Sequence, residues 1–244
     1  MPLLDHLIEL RTRLLWSAVT FVVAFAVSYH FAGQIYNFLA RPLVVVMEAR
    51  GEQAHMIYTA LFEAFLTQIK VALFTAAFIS FPIVAIQIWL FVAPGLYRSE
   101  KRVVLPFLIA TPVLFLAGAG LAYYVVFPMA WKFFLSFQTM GGAGNLQVTL
   151  QAKVSEYLSL VMKLIFAFGV AFELPVVLTL LAKVGIIDAG DLRRFRRFAY
   201  VGMFGLAALI TPPDAISMVS LALPLLVLYE VSVIAARFVA PKEG

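Results

Sequence analysis

An all-α integral membrane protein with six transmembrane helices is the fold this chain predicts, and three observations lead there. Apolar residues make up 64% of the 244 and charged residues only 13%, against roughly a quarter charged in an ordinary soluble domain. The apolar residues gather in long runs, and roughly 20 helical residues cross the hydrocarbon of a bilayer. The 18 Lys and Arg residues fall mainly on one side of the loops that these runs define, which is the asymmetry of a membrane topology.

The chain opens with DHLIELRTR at 5–13, where leucines and an isoleucine at 3, 4, 7, 8 and 10 share one side at helical spacing. That pattern predicts an amphipathic lead-in at the membrane surface, followed by a first span at 14–32. Arg11 and Arg13 ahead of an apolar run imitate a signal peptide, but the run is too long for a signal core and no small-residue cleavage site leads into a soluble domain. Residues 33–57 carry Arg41, Pro42, Glu48, Arg50 and Glu52. They are expected outside the membrane as a loop with short helical pieces, Pro42 fixing a turn through its locked φ.

The stretch 58–92 is long for one crossing, and its polar residues Glu63, Gln68 and Lys70 all lie in the first half. The second span is therefore placed at 71–92, with the early turns standing out of the membrane and Lys70 snorkelling to the interface. Next comes FVAPGLYRSEKRVVLP at 91–106, a short polar bridge that holds Arg98, Glu100, Lys101 and Arg102 just outside the bilayer. The third span, 103–128, contains Pro106, Pro112 and Gly118, and prolines there predict kinks whose freed carbonyls are met by neighbouring helices or water.

GGAGN at 141–145 reads as a loop by composition. The fourth span, 154–182, carries Lys163 and Glu173, and KVGIIDAGDLRRFRRF after it is the most basic stretch. A fifth run at 198–210 is only about 20 Å long as a helix, too short to cross about 30 Å unaided, which predicts a thinned bilayer or a cavity beside it. TPPD at 211–214 then turns the chain, Asp214 is placed to cap the next helix, and the sixth span is 216–236. The whole is one polytopic domain over 1–244, with no internal repeat of the kind that builds many transporters.

Six spans put both termini on one side. That side holds 12 of the 18 Lys and Arg residues, namely two before the first span, three on the bridge, five between Lys183 and Arg197, and two in the tail. Only Arg41, Arg50, Lys132 and Lys153 lie on the other, so both termini are expected in the cytoplasm of a multi-pass cytoplasmic-membrane protein. The formal charge of +5 is then a topology signal, and no nucleic-acid partner is expected. With no cysteine and with His6, His30 and His55 scattered, neither a metal site nor a cofactor is expected.

Two kinds of residue stand out for function. Glu173 lies ten residues before Lys183, about 15 Å from the end of its helix and so near mid-membrane. An ionised carboxylate there costs a few kcal/mol, so it must meet a wet cavity, a partner or a proton. Pro175 removes the bond to the Ala171 carbonyl and leaves a second polar group to satisfy. The plainer alternative is a structural contact, for example with Lys163 or a serine. By spacing alone Glu100 is a solvated ion pair, Glu9 an ordinary helix partner of Arg13, and Phe91, Tyr97 and Trp89 interfacial anchors.

HLIELRTRLL at 6–15, FVAPGLYRSEKR at 91–102, YYVVFPMA at 123–130, SEYLSLVMKLIFAFGVAFELPVV at 155–177 and LITPPD at 209–214 together resemble TatC, the signal-receptor subunit of the twin-arginine protein translocase. The match runs in order over almost the entire chain. The resemblance implies a concave, glove-shaped bundle whose bridge and N-terminal segment bind the paired arginines of signal peptides on folded cargo. It makes Glu100 and Glu9 the guanidinium acceptors, with Leu10, Arg11, Phe91, Pro94 and Tyr97 shaping the surface.

The same resemblance implies that Glu173 faces a wet concavity and that the proton motive force drives transport. It further implies that the short fifth helix meets single-span partners like TatA and TatB in an oligomeric complex within the membrane lipid. Thr211, Pro212 and Pro213 match the outer turn that contacts such a partner, and Pro42 and Asp214 match outer-loop structural positions. The chain departs at Ala208 and Met218, where some relatives have a partly polar pairing, so the polar contact to a partner helix stays open. Two other function classes compete. A proton-coupled transporter or ion-conducting bundle would use Glu173 and Lys163 as a relay. An intramembrane enzyme would have to use Glu173 and Glu230, with no nucleophile pattern and no zinc motif, so no catalytic step is expected.

Overall fold

The computed structural model describes residues 3–92, 101–142, 145–183, 185–211 and 214–239. Helix α1 runs unbroken over Leu3–His30, because nothing between those residues is Gly or Pro. The amphipathic lead-in and the first span are thus one rod of about 42 Å, and its Leu7, Ile8, Leu14 and Trp16 are exposed on the outer surface.

Where a loop with a proline turn was expected, the chain forms α2, Ala32–Glu48, with Pro42 inside it. The helix survives because the carbonyls around the proline find other donors. The Tyr123 hydroxyl donates to Phe38 O at 2.7 Å and the Tyr157 hydroxyl to Leu39 O at 3.1 Å. Helix α3, Glu63–Val92, starts earlier than the expected second span and takes in Glu63. It is followed by α4, Lys101–Leu121, a π-helical turn over Ala122–Val126, and α5, Phe127–Leu135. In that turn the Phe127 N–H reaches back five residues to Ala122 O, a widened turn just before Pro128, whose missing N–H cannot serve the regular ladder.

The loop expected around GGAGN is a hairpin, β2 (Thr139–Gly142) against β3 (Asn145–Val148), with Gly142 opposite Asn145. A second pair, β1 (Met56–Ile57) and β4 (Ala152–Lys153), is parallel. Helices α6 (Val154–Ala171) and α7 (Leu174–Lys183) divide the fourth span at Phe172 and Glu173, one turn before the N–H that Pro175 lacks. The chain ends with α8 (Ala189–Arg194), α9 (Arg196–Ile210) and α10 (Ala215–Val239). Asp188 and Asp191 form a reciprocal capping box at α8.

Among the described residues five helical runs are long and apolar enough to cross a membrane. The short α9, 15 residues long, covers the fifth run that the sequence marked as too short to cross unaided. The helices form a wall in which α1 packs on α3, α3 on α4 and α6, α4 on α6 and α7, α7 on α10, and α10 on α9. Phe115, Phe127, Leu158, Leu164 and Phe168 fill its centre. Two glycines let α4 and α6 approach: a Cβ on Gly118 would stand 2.8 Å from the Phe172 ring, and one on Gly169 2.6 Å from the Phe115 ring.

Candidate functional site

The long contact between α1 and α3 brings the start of α1 beside the end of α3. Glu9 and Arg13 lie one turn apart on α1, so they face the same way. Arg13 donates to Glu9 Oε1 from Nε at 3.0 Å and from Nη2 at 2.5 Å, and its Nη1 donates to Gln87 Oε1 of α3 at 3.2 Å. One turn further along α3, the Phe91 ring stacks on His6 with centroids 4.3 Å apart and planes 18° apart. A cleft of about 530 Å³ opens here, lined by Glu9, Thr12, Arg13, Trp16, Gln87 and Leu90.

Of the expected binding residues, Glu9, Leu10 and Phe91 are half-buried and Arg11 is exposed. Glu9 and Phe91 border one end of the bundle together. Pro94, Tyr97 and Glu100 lie outside the described residues, as do Pro212 and Pro213. Gln87 was not singled out by sequence. A glutamine four residues before Phe91 in an apolar helix was the available signal, since it carries the only amide in the last three turns of α3.

Glu173 sits in the turn between α6 and α7 and is only 7% exposed. The fully buried Thr111 hydroxyl of α4 faces its carboxyl. The group that faces Glu173 is thus Thr111 and not Lys163, which is exposed on α6. The helix break turns residue 173 inward against α4.

At the opposite end, Thr211 is buried and donates to Ala207 O at 2.8 Å. Asp214 accepts the Ser217 N–H at 2.6 Å, so it caps α10 as expected. Two acids, Glu63 and Glu230, hold elements together. Glu63 is buried and accepts from Thr59 N at 2.9 Å, Ala60 N at 3.3 Å and Ser155 N at 3.2 Å, which links the starts of α3 and α6. Glu230 of α10 accepts from Arg196 Nη2 at 2.8 Å and from the Tyr200 hydroxyl at 2.5 Å, which fixes α9. Arg196 belongs to the RRFRR run read as a topology signal, so charge counting concealed this contact.

Comparison with known proteins agrees with the fold. The family model described as Sec-independent protein translocase protein (TatC) matches residues 5–224. The TatC of Magnetococcus marinus is 49% identical over 100% of this chain and 86% of its own length. That of Rickettsia prowazekii is 43% identical over 96% of this chain and 92% of its own. A crystal structure of the twin-arginine translocase receptor TatC superposes with a TM-score of 0.79 at 36% identity, covering 96% of this chain and 99% of that one. A second, in DDM, gives 0.80 at 36% identity over 94% and 98%. With a match along nearly its full length in both sequence and fold, the chain belongs to the TatC family of Sec-independent protein translocase proteins.

Proposed function

We propose that this protein is the twin-arginine signal-peptide receptor and core scaffold of its translocase, with no catalytic step of its own. Glu9 and Glu100 accept the two guanidinium groups, and Leu10, Arg11, Phe91, Pro94 and Tyr97 shape the surface around them. The observation that carries the reading is Glu9 on the wall of an open cleft between α1 and α3, where its carboxylate accepts a guanidinium, that of Arg13, through one oxygen. Guanidinium binds carboxylate through two parallel, charge-assisted bonds that an ammonium cannot reproduce. The apolar segment of the signal gains further area along the exposed helix faces.

In this reading both termini and the 93–100 bridge face the cytoplasm. The short α9 and the outer turn at Thr211, Pro212 and Pro213 meet single-span subunits like TatA and TatB, and the proton motive force drives passage. The test is photocrosslinking of a signal peptide bearing Arg-Arg, or its Lys-Lys counterpart, to the purified protein in detergent. Preferential labelling by Arg-Arg, lost in Glu100→Ala and Glu9→Gln, is the expected result. Equal labelling by the two peptides would sink the reading.

A further inference from the structure

We infer that Arg13 is a built-in competitor for Glu9, a guanidinium of the chain itself that a visiting arginine must displace, and that this exchange sets the threshold affinity a signal must exceed to occupy the site. The inference rests on the reading of Glu9 as a signal acceptor. Its basis is the geometry at the mouth of the cleft. Arg13 spends two of its donors on a single oxygen, Glu9 Oε1, and a third on Gln87 Oε1. The side chains of Arg13 and Glu9 remain 21% and 25% exposed, so the pair is open to exchange from solvent.

A guanidinium that engages both carboxylate oxygens makes the parallel fork, which is the stronger arrangement. Held from within its own helix at i,i+4, Arg13 reaches only one oxygen. An arginine arriving through the cleft is free to approach Glu9 face-on and so can exceed the internal contact. An ammonium offers a point charge without the fork, so a lysine must break the same internal pair and receives less in return. The cost of that pair is common to both ligands and lowers both affinities by the same factor, which puts the weaker lysine contact below a useful affinity while the fork sets the ratio between them.

Gln87 fits this role as the residue that keeps Arg13 at hand. Its Oε1 holds Nη1 from the facing helix, so a displaced Arg13 retains one partner and returns when the peptide leaves. Gln87 is therefore a positioning residue, and Arg13 the residue that sets the affinity threshold.

The experiment measures equilibrium binding of a fluorescent Arg-Arg signal peptide and its Lys-Lys counterpart to the full-length protein in nanodiscs. Wild type, Arg13→Gln, Gln87→Ala and Glu9→Gln are compared. Arg13→Gln is expected to tighten Arg-Arg and Lys-Lys binding by a similar factor, about threefold each. Gln87→Ala, which leaves the Arg13–Glu9 pair intact but takes the partner of a displaced Arg13, is expected to weaken both peptides by a smaller factor. A purely structural Arg13 would weaken both peptides in Arg13→Gln, and unchanged affinities in that variant likewise overturn the inference. Should Glu9→Gln leave Arg-Arg binding intact, the acceptor reading itself fails and takes this inference with it. Loss in Glu9→Gln with unchanged affinities in Arg13→Gln defeats the inference alone.

Discussion

The Tyr123 hydroxyl donates a 2.7 Å hydrogen bond to the Phe38 carbonyl, the acceptor four residues before Pro42 that the proline leaves without a helical donor. The two rings stack with centroids 4.5 Å apart and planes 5° apart, so one side chain both repairs the α2 ladder and packs against it. The π-helical turn that begins at Ala122 offsets the register of the third span where Tyr123 must reach α2.

Tyr123→Phe should keep the ring stack and lose only the donor. A buried carbonyl left without a partner costs about 1–3 kcal/mol, read as a lowered thermal midpoint in detergent. Pro42→Ala restores a backbone N–H at residue 42, so in that background the same tyrosine change should cost clearly less. Equal costs in the two backgrounds would show that the proline and the hydroxyl are not coupled.

The contact between α4 and α6 yields a paired prediction from two neighbouring glycines. A Cβ on Gly118 would collide with the Phe168 backbone and the Phe172 ring, whereas one on Gly120 meets nothing within 4 Å. Gly118→Val should therefore force the helices apart and lower stability by about 1–3 kcal/mol or more, as overpacking does. Gly120→Ala should be neutral or slightly stabilising, since it removes backbone freedom from the unfolded chain. Thermal unfolding of the two variants side by side checks both.

The apolar runs made the helical membrane fold legible, because length and hydropathy alone decide what can cross a bilayer. The short α9 was legible for the same reason. The helical nature of 32–48 was not, since Pro42 argues locally for a turn and the donors that rescue it, Tyr123 and Tyr157, lie far away in sequence. The hairpin at 139–148 was hidden behind glycines that read as loop, with the register visible only once Gly142 and Asn145 are paired. At the candidate site Glu9 was legible from the ELRTR motif. The contact of Arg13 with Gln87, 74 residues further on, depends on how α1 and α3 dock, which spacing cannot show.

Glu63 supplies a prediction about the end of α3 away from the cleft. Its carboxylate takes backbone N–H groups from Thr59, Ala60 and Ser155, so Glu63→Ala strands three donors at once at the join of α3 and α6. The expected outcome is faster proteolysis of 50–62 and 145–153 with the rest of the helical core retained. Glu63→Gln keeps an acceptor oxygen and should fall between the two. Wild-type cleavage rates in Glu63→Ala would rule out the latch.

Glu230 tests how α9 is held. It binds both Arg196 and Tyr200, so Glu230→Ala should release the start of α9 from α10 while Tyr200→Phe removes one contact of the two. Spin labels on α9 and α10 should report a broader distance distribution in Glu230→Ala, a smaller change in Tyr200→Phe, and no change at a control pair on α1 and α3. A broadened control pair would mean general unfolding instead.

A prediction at Glu173 sets recognition apart from transport. It lies in the α6–α7 turn against Thr111, on elements other than the α1 and α3 segments that line the cleft, so Glu173→Ala should leave Arg-Arg peptide binding within about twofold of wild type. Transport by the complete translocase should fall, because the alanine removes a carboxyl from a buried site in the bundle, where acids are rare and costly. Glu173→Gln tells which property matters: the amide keeps the size and a partner for Thr111 but cannot ionise. If the carboxyl works by gaining and losing a proton, Glu173→Gln should transport as poorly as Glu173→Ala. If it only completes the packing between α4 and α7, the glutamine should restore transport, and Thr111→Val should then impair it about as much as Glu173→Ala.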